Sequence, residues 1–359
     1  MSKVTYTQTV TINELRKMIP VICPDLTMVI QSEPGCGKSS ILKMLEEDLG
    51  DAYEYIYVDC PVKDMSDIGM TIPNHATRQL EYYASSLFRL DSPKPKVIML
   101  DEMMKAPKLL QVIFTRMMLE RTVGDVALPE GSMVFATSNN ASDNVGDTMM
   151  AHAGNRVCRV EMAKPSAAEW SEWAIKNNIS PIVIAFAKMF PRCLETYRTG
   201  DQADNPYIFD PKKAAQLSFV SPRSLAKSSV IVSNSAVLGE NATQMALRGT
   251  VGDAAAADLA AFISLHKSLP SHESIIASPE TALLPHDVAE QIMIVLNAVQ
   301  HIQTHDDLSA YMTYANRFAN VEIQSLFFTQ CMRNPKLLAL DSHKNKMVAQ
   351  WAKNNYTIM

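Results

Sequence analysis

No apolar run in the sequence approaches the ~20 residues that a membrane-spanning helix requires. The opening residues, Met1-Ser2-Lys3-Val4-Thr5-Tyr6, lack the apolar core of a secretory signal. Cysteine is scarce and scattered: Cys23, Cys36, Cys60, Cys158, Cys193 and Cys331 show no paired spacing. That pattern excludes a disulfide framework or a paired-cysteine zinc site, and reduced thiols in a cytoplasmic protein are expected. An excess of positive charge is missing too, with 33 Lys and Arg against 38 Asp and Glu, a net charge of −5. General attraction to nucleic acid or to anionic membranes is therefore not expected. Basic residues do not cluster with aromatics, and internal repeats and low-complexity tracts are absent. What remains is a chain of 359 residues that is 47% hydrophobic and 20% charged, enough for two or three globular domains with a real core.

The most informative stretch follows the apolar run Met28-Val29-Ile30 and reads Ser32-Glu33-Pro34-Gly35-Cys36-Gly37-Lys38-Ser39. A strand ends, two closely spaced glycines turn the chain, and Lys-Ser opens a helical segment. In that order, backbone N–H groups of the turn and of the helix N-terminus converge on one anion. Glu33, Pro34, Gly35, Cys36, Gly37, Lys38, Ser39 and Ser40 are the expected phosphate cradle. Lys38 reaches the terminal phosphates and the Ser39 hydroxyl ligates Mg²⁺. Ser32 stands where the usual pattern has glycine, which a serine satisfies if its φ stays negative. Cys36 reads as a small residue that fits the turn.

A second motif, Val97-Ile98-Met99-Leu100-Asp101-Glu102, is a strand apolar on both faces that ends in two carboxylates. At the carboxyl edge of a parallel sheet, Asp101 is placed to hold Mg²⁺ through water, and Glu102 to orient and deprotonate an attacking water. Met133-Val134-Phe135-Ala136-Thr137 is a further strand, and the amide of Asn139 at its end is placed to bond that water or the γ-phosphate.

Strands and helices alternate up to about residue 160. Ile41, Leu42, Leu45 and Leu49 share one helix face, ended by Gly50. Residues 53–58 form a second strand and 157–160 a fifth, preceded by Asn155-Arg156. Pro107 opens a helix with Leu110, Ile113, Phe114 and Met117 inward. Residues 124–131 read as a turn or short hairpin, and 61–95 as a long irregular connection of functional character. From Pro165 onward helical patterns dominate.

In this order the landmarks resemble the MoxR-type AAA+ ATPases of the dynein-related subfamily. They are Pro-Gly-Cys-Gly-Lys-Ser, Asp67-Ile68-Gly69, Leu100-Asp101-Glu102 with Lys105-Ala106-Pro107, Glu120 to Asp125 with Leu128-Pro129, Ala136 to Asn139, Asn155-Arg156, and Ser221-Pro222-Arg223. The chain departs from the family at Ser32 and at Met103-Met104, where a polar residue and an arginine are usual. The resemblance implies an α/β P-loop NTPase: an αβα sandwich with a parallel five-stranded sheet (1–165), a helical lid (166–265) and C-terminal helices (266–359). It also implies ATP and Mg²⁺ as ligands, with Asn139 as sensor 1. Arg156, with Arg159 as rival, matches the finger inserted into a neighbour's nucleotide, and Arg223 matches the lid's sensor 2.

A chaperone-like homo-hexamer acting on a partner with a von Willebrand factor A domain follows from the same resemblance. So does a cytoplasmic setting in a bacterium, or in the host of a phage. Two other readings stay open: an ATP-binding switch or assembly factor with weak hydrolysis, and a nucleic-acid-associated motor, against which the acidic balance argues.

Overall fold

Side chains along a strand alternate between its two faces, so an apolar run buried on both sides needs helices above and below. The computed structural model describes residues 8–139, 155–198, 200, 202–211 and 216–354, so the stretch Met1–Tyr6 lies outside it. The chain divides into two compact units, residues 1–165 with 211–214, and 166–210 with 215–359.

The first unit runs α1 (Ile12–Ile22), β1 (Met28–Ser32), α2 (Ile41–Leu49), β2 (Glu54–Asp59), α3 (Met65–Ile68), β3 (Gly69–Asn74) and β4 (Gln79–Ala84). It continues with β5 (Lys96–Asp101), α4 (Lys108–Glu120), β6 (Thr122–Val123), β7 (Val126–Ala127), β8 (Met133–Asn139) and β9 (Cys158–Glu161). Five of these strands form one parallel sheet in the order β2-β5-β8-β1-β9. Met28, Ile30, Val97, Met99, Met133 and Phe135 face Leu15 and Ile19 of α1 and Ile41, Leu42 and Leu45 of α2. The alternate residues Val29, Ile98, Leu100, Val134 and Ala136 face Leu110, Phe114 and Met117 of α4. The five-stranded parallel sandwich expected from the sequence is therefore present.

The stretch 61–95 differs from the irregular connection expected of it. It folds as α3 followed by an antiparallel hairpin, β3 against β4, with Gly69 opposite Ala84 and Asn74 opposite Gln79. Most of the hairpin's residues are exposed or half-buried, so neither strand shows the inward–outward alternation that marks a strand in a sequence. Its root is fixed by Tyr82. An added Cβ at Gly124 would lie 2.2 Å from that ring, and one at Gly69 would lie 2.4 Å from its hydroxyl, so both glycines are required by close approach.

The second unit is helical. It contains α5 (Ala167–Lys176), α6 (Pro181–Met189), α7 (Pro222–Ser233), α8 (Ser235–Val251), α9 (Asp253–His266) and α10 (His272–Ala277). Beyond them come α11 (Val288–His301), α12 (His305–Ala315), α13 (Val321–Arg333), α14 (Pro335–Leu338) and α15 (Lys346–Asn354). One continuous apolar core runs from Ala167 to Trp351. Its centre is α6, whose residues Pro181 to Ala187 are all buried. Among the described residues, no helix is long and apolar enough to cross a membrane.

Candidate active site

The loop after β1 turns through two left-handed glycines, Gly35 at φ 75° and Gly37 at φ 96°. This is the conformation in which a side chain is strained and glycine is not. Ser32 needs no such freedom, because it is still part of β1 and pairs with Asn139 of β8. Lys38 to Ser40 form one tight helical turn that leads into α2, and the Ser40 hydroxyl donates back to the Gly37 carbonyl at 2.6 Å. The fold is that of a P-loop NTPase.

The sheet order decides which groups meet at this loop. The strand carrying the two carboxylates, β5, is not the neighbour of β1; β8 lies between them. Lys38 therefore meets the end of β8, and the end of β8 meets the end of β5. The Lys38 ammonium, almost wholly buried, donates to Asn139 Oδ1 at 2.8 Å and to Ser32 Oγ at 3.0 Å. It also donates to the carbonyls of Ser32 and Glu33, each at 3.3 Å. These oxygens occupy the ammonium as phosphate oxygens would.

Asp101 is surrounded by hydroxyls. Ser39 Oγ donates to its Oδ2 at 3.0 Å, Tyr57 OH donates to the same oxygen at 2.7 Å, and Thr137 Oγ1 donates to Oδ1. Thr137 in turn accepts the backbone N–H of Glu102 at 3.2 Å. Glu102 has a left-handed backbone, φ 50°, a conformation that costs a non-glycine residue about 1–2 kcal/mol. Its carboxylate pairs with Lys105 at 2.5 Å and lies 3.5 Å from Asn139 Nδ2. Strain of this kind collects where a side chain must be aimed.

The rest of the loop is tied down nearby. Glu33 lies 4.0 Å from Lys164, both almost fully buried. The Cys36 thiol is buried and pushed up to about 12, first by burial and then by Glu33. It is a packed, protonated side chain, as a small residue fitting a turn should be. Burial, followed by donation to Asp101, likewise raises the Tyr57 phenol, which remains a donor.

The structure thus brings together Lys38, Ser39, Asp101, Glu102 and Asn139. Arg156 and Arg159 are exposed and lie elsewhere. Cys158 of β9 pairs with Met28 at the start of β1, whereas the loop follows Ser32 at its end. Four residues at ~3.3 Å rise separate the backbone at the start of β9 from the loop by about 13 Å, and Arg156 lies two residues before that start. Arg223 is exposed in the first turn of α7, a helix opened by Ser221 as N-cap and Pro222 at its first position. It belongs to the second unit.

Sequence reading missed Tyr57, Lys164 and the roles of Thr137 and Lys105. Thr137 carried a signal, as a hydroxyl at the end of a buried strand, and Lys105 stood in one of the landmarks without a role assigned to it. Met103 and Met104, the departure after the carboxylates, are both buried in the core on the α4 face.

Magnesium fits this donor set. A hydroxyl and a carboxylate 3.0 Å apart are hard oxygen ligands. Among the described residues no group of three or more His, Cys, Asp or Glu is placed to enclose a metal. An ion that keeps water and phosphate oxygens in its shell requires no such enclosure.

No family model matches the sequence, and no curated protein matches it. Among solved structures, the chain is similar to a single-substitution form of RuvB from Thermotoga maritima, at 13% identity over 85% of this chain and 86% of that one, TM-score 0.37. It is also similar to NtrX from Brucella abortus, at 15% identity over 93% and 69%, TM-score 0.35. A third is Hsp104 with ATPγS and casein, at 14% identity over 62% and 41%, TM-score 0.34. These values are low, and the fold is assigned on the strand order and loop geometry of this chain.

The Ser32 hydroxyl accepts from Lys38 at 3.0 Å and would compete with a phosphate oxygen for it. A hydrogen bond to a charged group contributes about 1.5–3 kcal/mol, of which part is retained here because three other acceptors remain. Ser32→Gly is therefore expected to tighten nucleotide binding about 3–10-fold in calorimetry; weaker or unchanged binding contradicts the competition.

Proposed function

We propose that this chain is an ATP hydrolase of the AAA+ class, similar to MoxR ATPases, that works in a homo-hexameric ring to remodel or activate a partner protein. The observation that carries the reading is the meeting of Lys38, Ser39, Asp101, Glu102 and Asn139 at the carboxyl ends of three adjacent parallel strands. Ligands of open parallel sheets bind at that edge.

In this reading Lys38 exchanges its protein oxygens for those of the β- and γ-phosphates. Ser39 and Asp101 are the residues that would hold Mg²⁺, which would supply neutralising charge at the phosphate oxygens. Asn139 orients the attacking water. Glu102, released from Lys105, takes its proton. The left-handed backbone at Glu102 and its N–H bond to Thr137 fix where that carboxylate starts. Arg156, at the opposite end of the sheet from its own loop, is assigned to the nucleotide of a neighbouring protomer. Arg223 is assigned to the γ-phosphate from the lid.

The β3–β4 hairpin, with Met70, Ile72, Leu80 and Tyr83 exposed, is the surface we assign to the pore or the client. A partner bearing a von Willebrand factor A domain is the class that the MoxR resemblance suggests.

The reading is tested in trans. Arg156→Ala is expected to leave ATP binding within about 3-fold of the parent and to lower turnover by at least ~100-fold. Mixing it with Glu102→Gln protein should restore part of the turnover, because some interfaces then pair an intact finger with an intact base. Absence of rescue removes the shared-site ring. A second reading, a nucleotide switch with weak hydrolysis, is favoured by the 2.5 Å Lys105–Glu102 pair, which engages the carboxylate expected to act as base.

A further inference from the structure

We propose that Tyr57 is a positioning residue for the carboxylate of Asp101, holding it ready for the divalent cation that accompanies the nucleotide; the inference rests on the ATPase reading above. Tyr57 stands on β2, the edge strand of the sheet, and is 44% exposed. Nothing about burial obliges its hydroxyl to turn inward. It nevertheless reaches the last residue of β5, donating to Asp101 Oδ2 at 2.7 Å. Tyr55, two residues earlier on the same strand face, makes a different bond, donating to the Gly50 carbonyl at 2.8 Å.

An ionised carboxylate offers about four lone-pair positions. Ser39, Tyr57 and Thr137 take three of them, and the donors come from the loop after β1, from β2 and from β8. The remaining position is left for a metal-bound water. Because the three donors come from separate elements, both the rotation and the tilt of the carboxylate are set before any cation arrives. That is preorganisation of a ligand by its hydrogen-bond partners, which commonly governs metal affinity by about 10–100-fold. With Ser39, Tyr57 also lines a polar groove of about 520 Å³, whose wall includes Tyr53, Glu54 and Arg89. Asp101 does not line that groove and is only 6% exposed.

Tyr57→Phe keeps the ring and removes the donor. Binding of a fluorescent ADP derivative, followed while Mg²⁺ is titrated from an EDTA-treated sample, reads the effect without turnover. The Mg²⁺ midpoint is expected to rise about 3–10-fold in Tyr57→Phe, with Mg²⁺-free ADP affinity unchanged. Tyr55→Phe, from the same strand face, is expected to keep the parent's midpoint. An unchanged midpoint in Tyr57→Phe, or an equal shift in Tyr55→Phe, overturns the role of Tyr57 while leaving the ATPase reading intact. Failure of the parent protein to bind ADP in either condition overturns both. Tyr57→His, which retains a ring and a polar edge, serves if Tyr57→Phe does not fold; it is expected to fall between the parent and an alanine variant.

Discussion

Lys38→Ala is expected to abolish the rise in melting temperature that ATP produces in the parent protein. A ligand present at about a hundred times its dissociation constant stabilises the folded state by about 2.7 kcal/mol. For a unit of this size that corresponds to a shift of roughly 5–10 °C. Among the described residues, the ammonium is the strong positive charge at the centre of the cluster, and its four oxygen partners mark where phosphate oxygens would enter. The variant has a cost without nucleotide as well. Asn139 Oδ1 and Ser32 Oγ both lose a charged donor in a buried setting, so the ATP-free protein should be less stable by about 1–3 kcal/mol and melt earlier. Thermal melts with and without ATP separate the two effects. A parent-sized ATP shift in Lys38→Ala would refute the assignment of the loop, whatever happens to the ATP-free protein.

Glu102→Gln has the second large expected effect, and it acts on turnover alone. General-base catalysis contributes typically about 10²–10⁴-fold, so phosphate release should fall by at least ~100-fold while ATP affinity stays near that of the parent. Glutamine retains the shape of the side chain and can still meet Asn139. The lost ion pair with Lys105 is half-exposed and contributes little to stability. Steady-state phosphate release and equilibrium ATP binding check the two halves. Substantial turnover in the variant would remove Glu102 from the role of base. Little turnover in the parent would instead favour the switch, with Lys105 keeping the base engaged.

The sandwich core was legible because its signals are local. The apolar runs Met28-Val29-Ile30, Val97 to Leu100 and Met133 to Ala136 became strands, and the positions of Gly35 and Gly37 became a left-handed loop. Elements without a local apolar signature were not read. The β3–β4 hairpin is one, since its strands face solvent. The helix α1 was missed for a different reason, since its signals are local: Ile12, Leu15, Ile19 and Ile22 recur at helical spacing, and Thr11 and Glu14 form a capping box at its start. Within the site, Lys38, Ser39, Asp101, Glu102 and Asn139 were legible from motif chemistry at strand ends. Tyr57 was not. Nothing in an alternating Tyr53-Tyr55-Tyr57 pattern distinguishes a hydroxyl that bonds a carboxylate from one that bonds a carbonyl.

The order of residues alone determined that strand ends would carry a lysine, two carboxylates and an amide, because those are properties of a few consecutive side chains and the turns they permit. Which strand lies beside which was decided only by the tertiary structure. Placing β8 between β1 and β5 brings Asn139 onto Lys38 and Thr137 onto Asp101, and pairing β2 with β5 at the edge carries Tyr57 to the same carboxylate. Contacts of that kind depend on strand order and register across the sheet, and spacing along the chain contains neither.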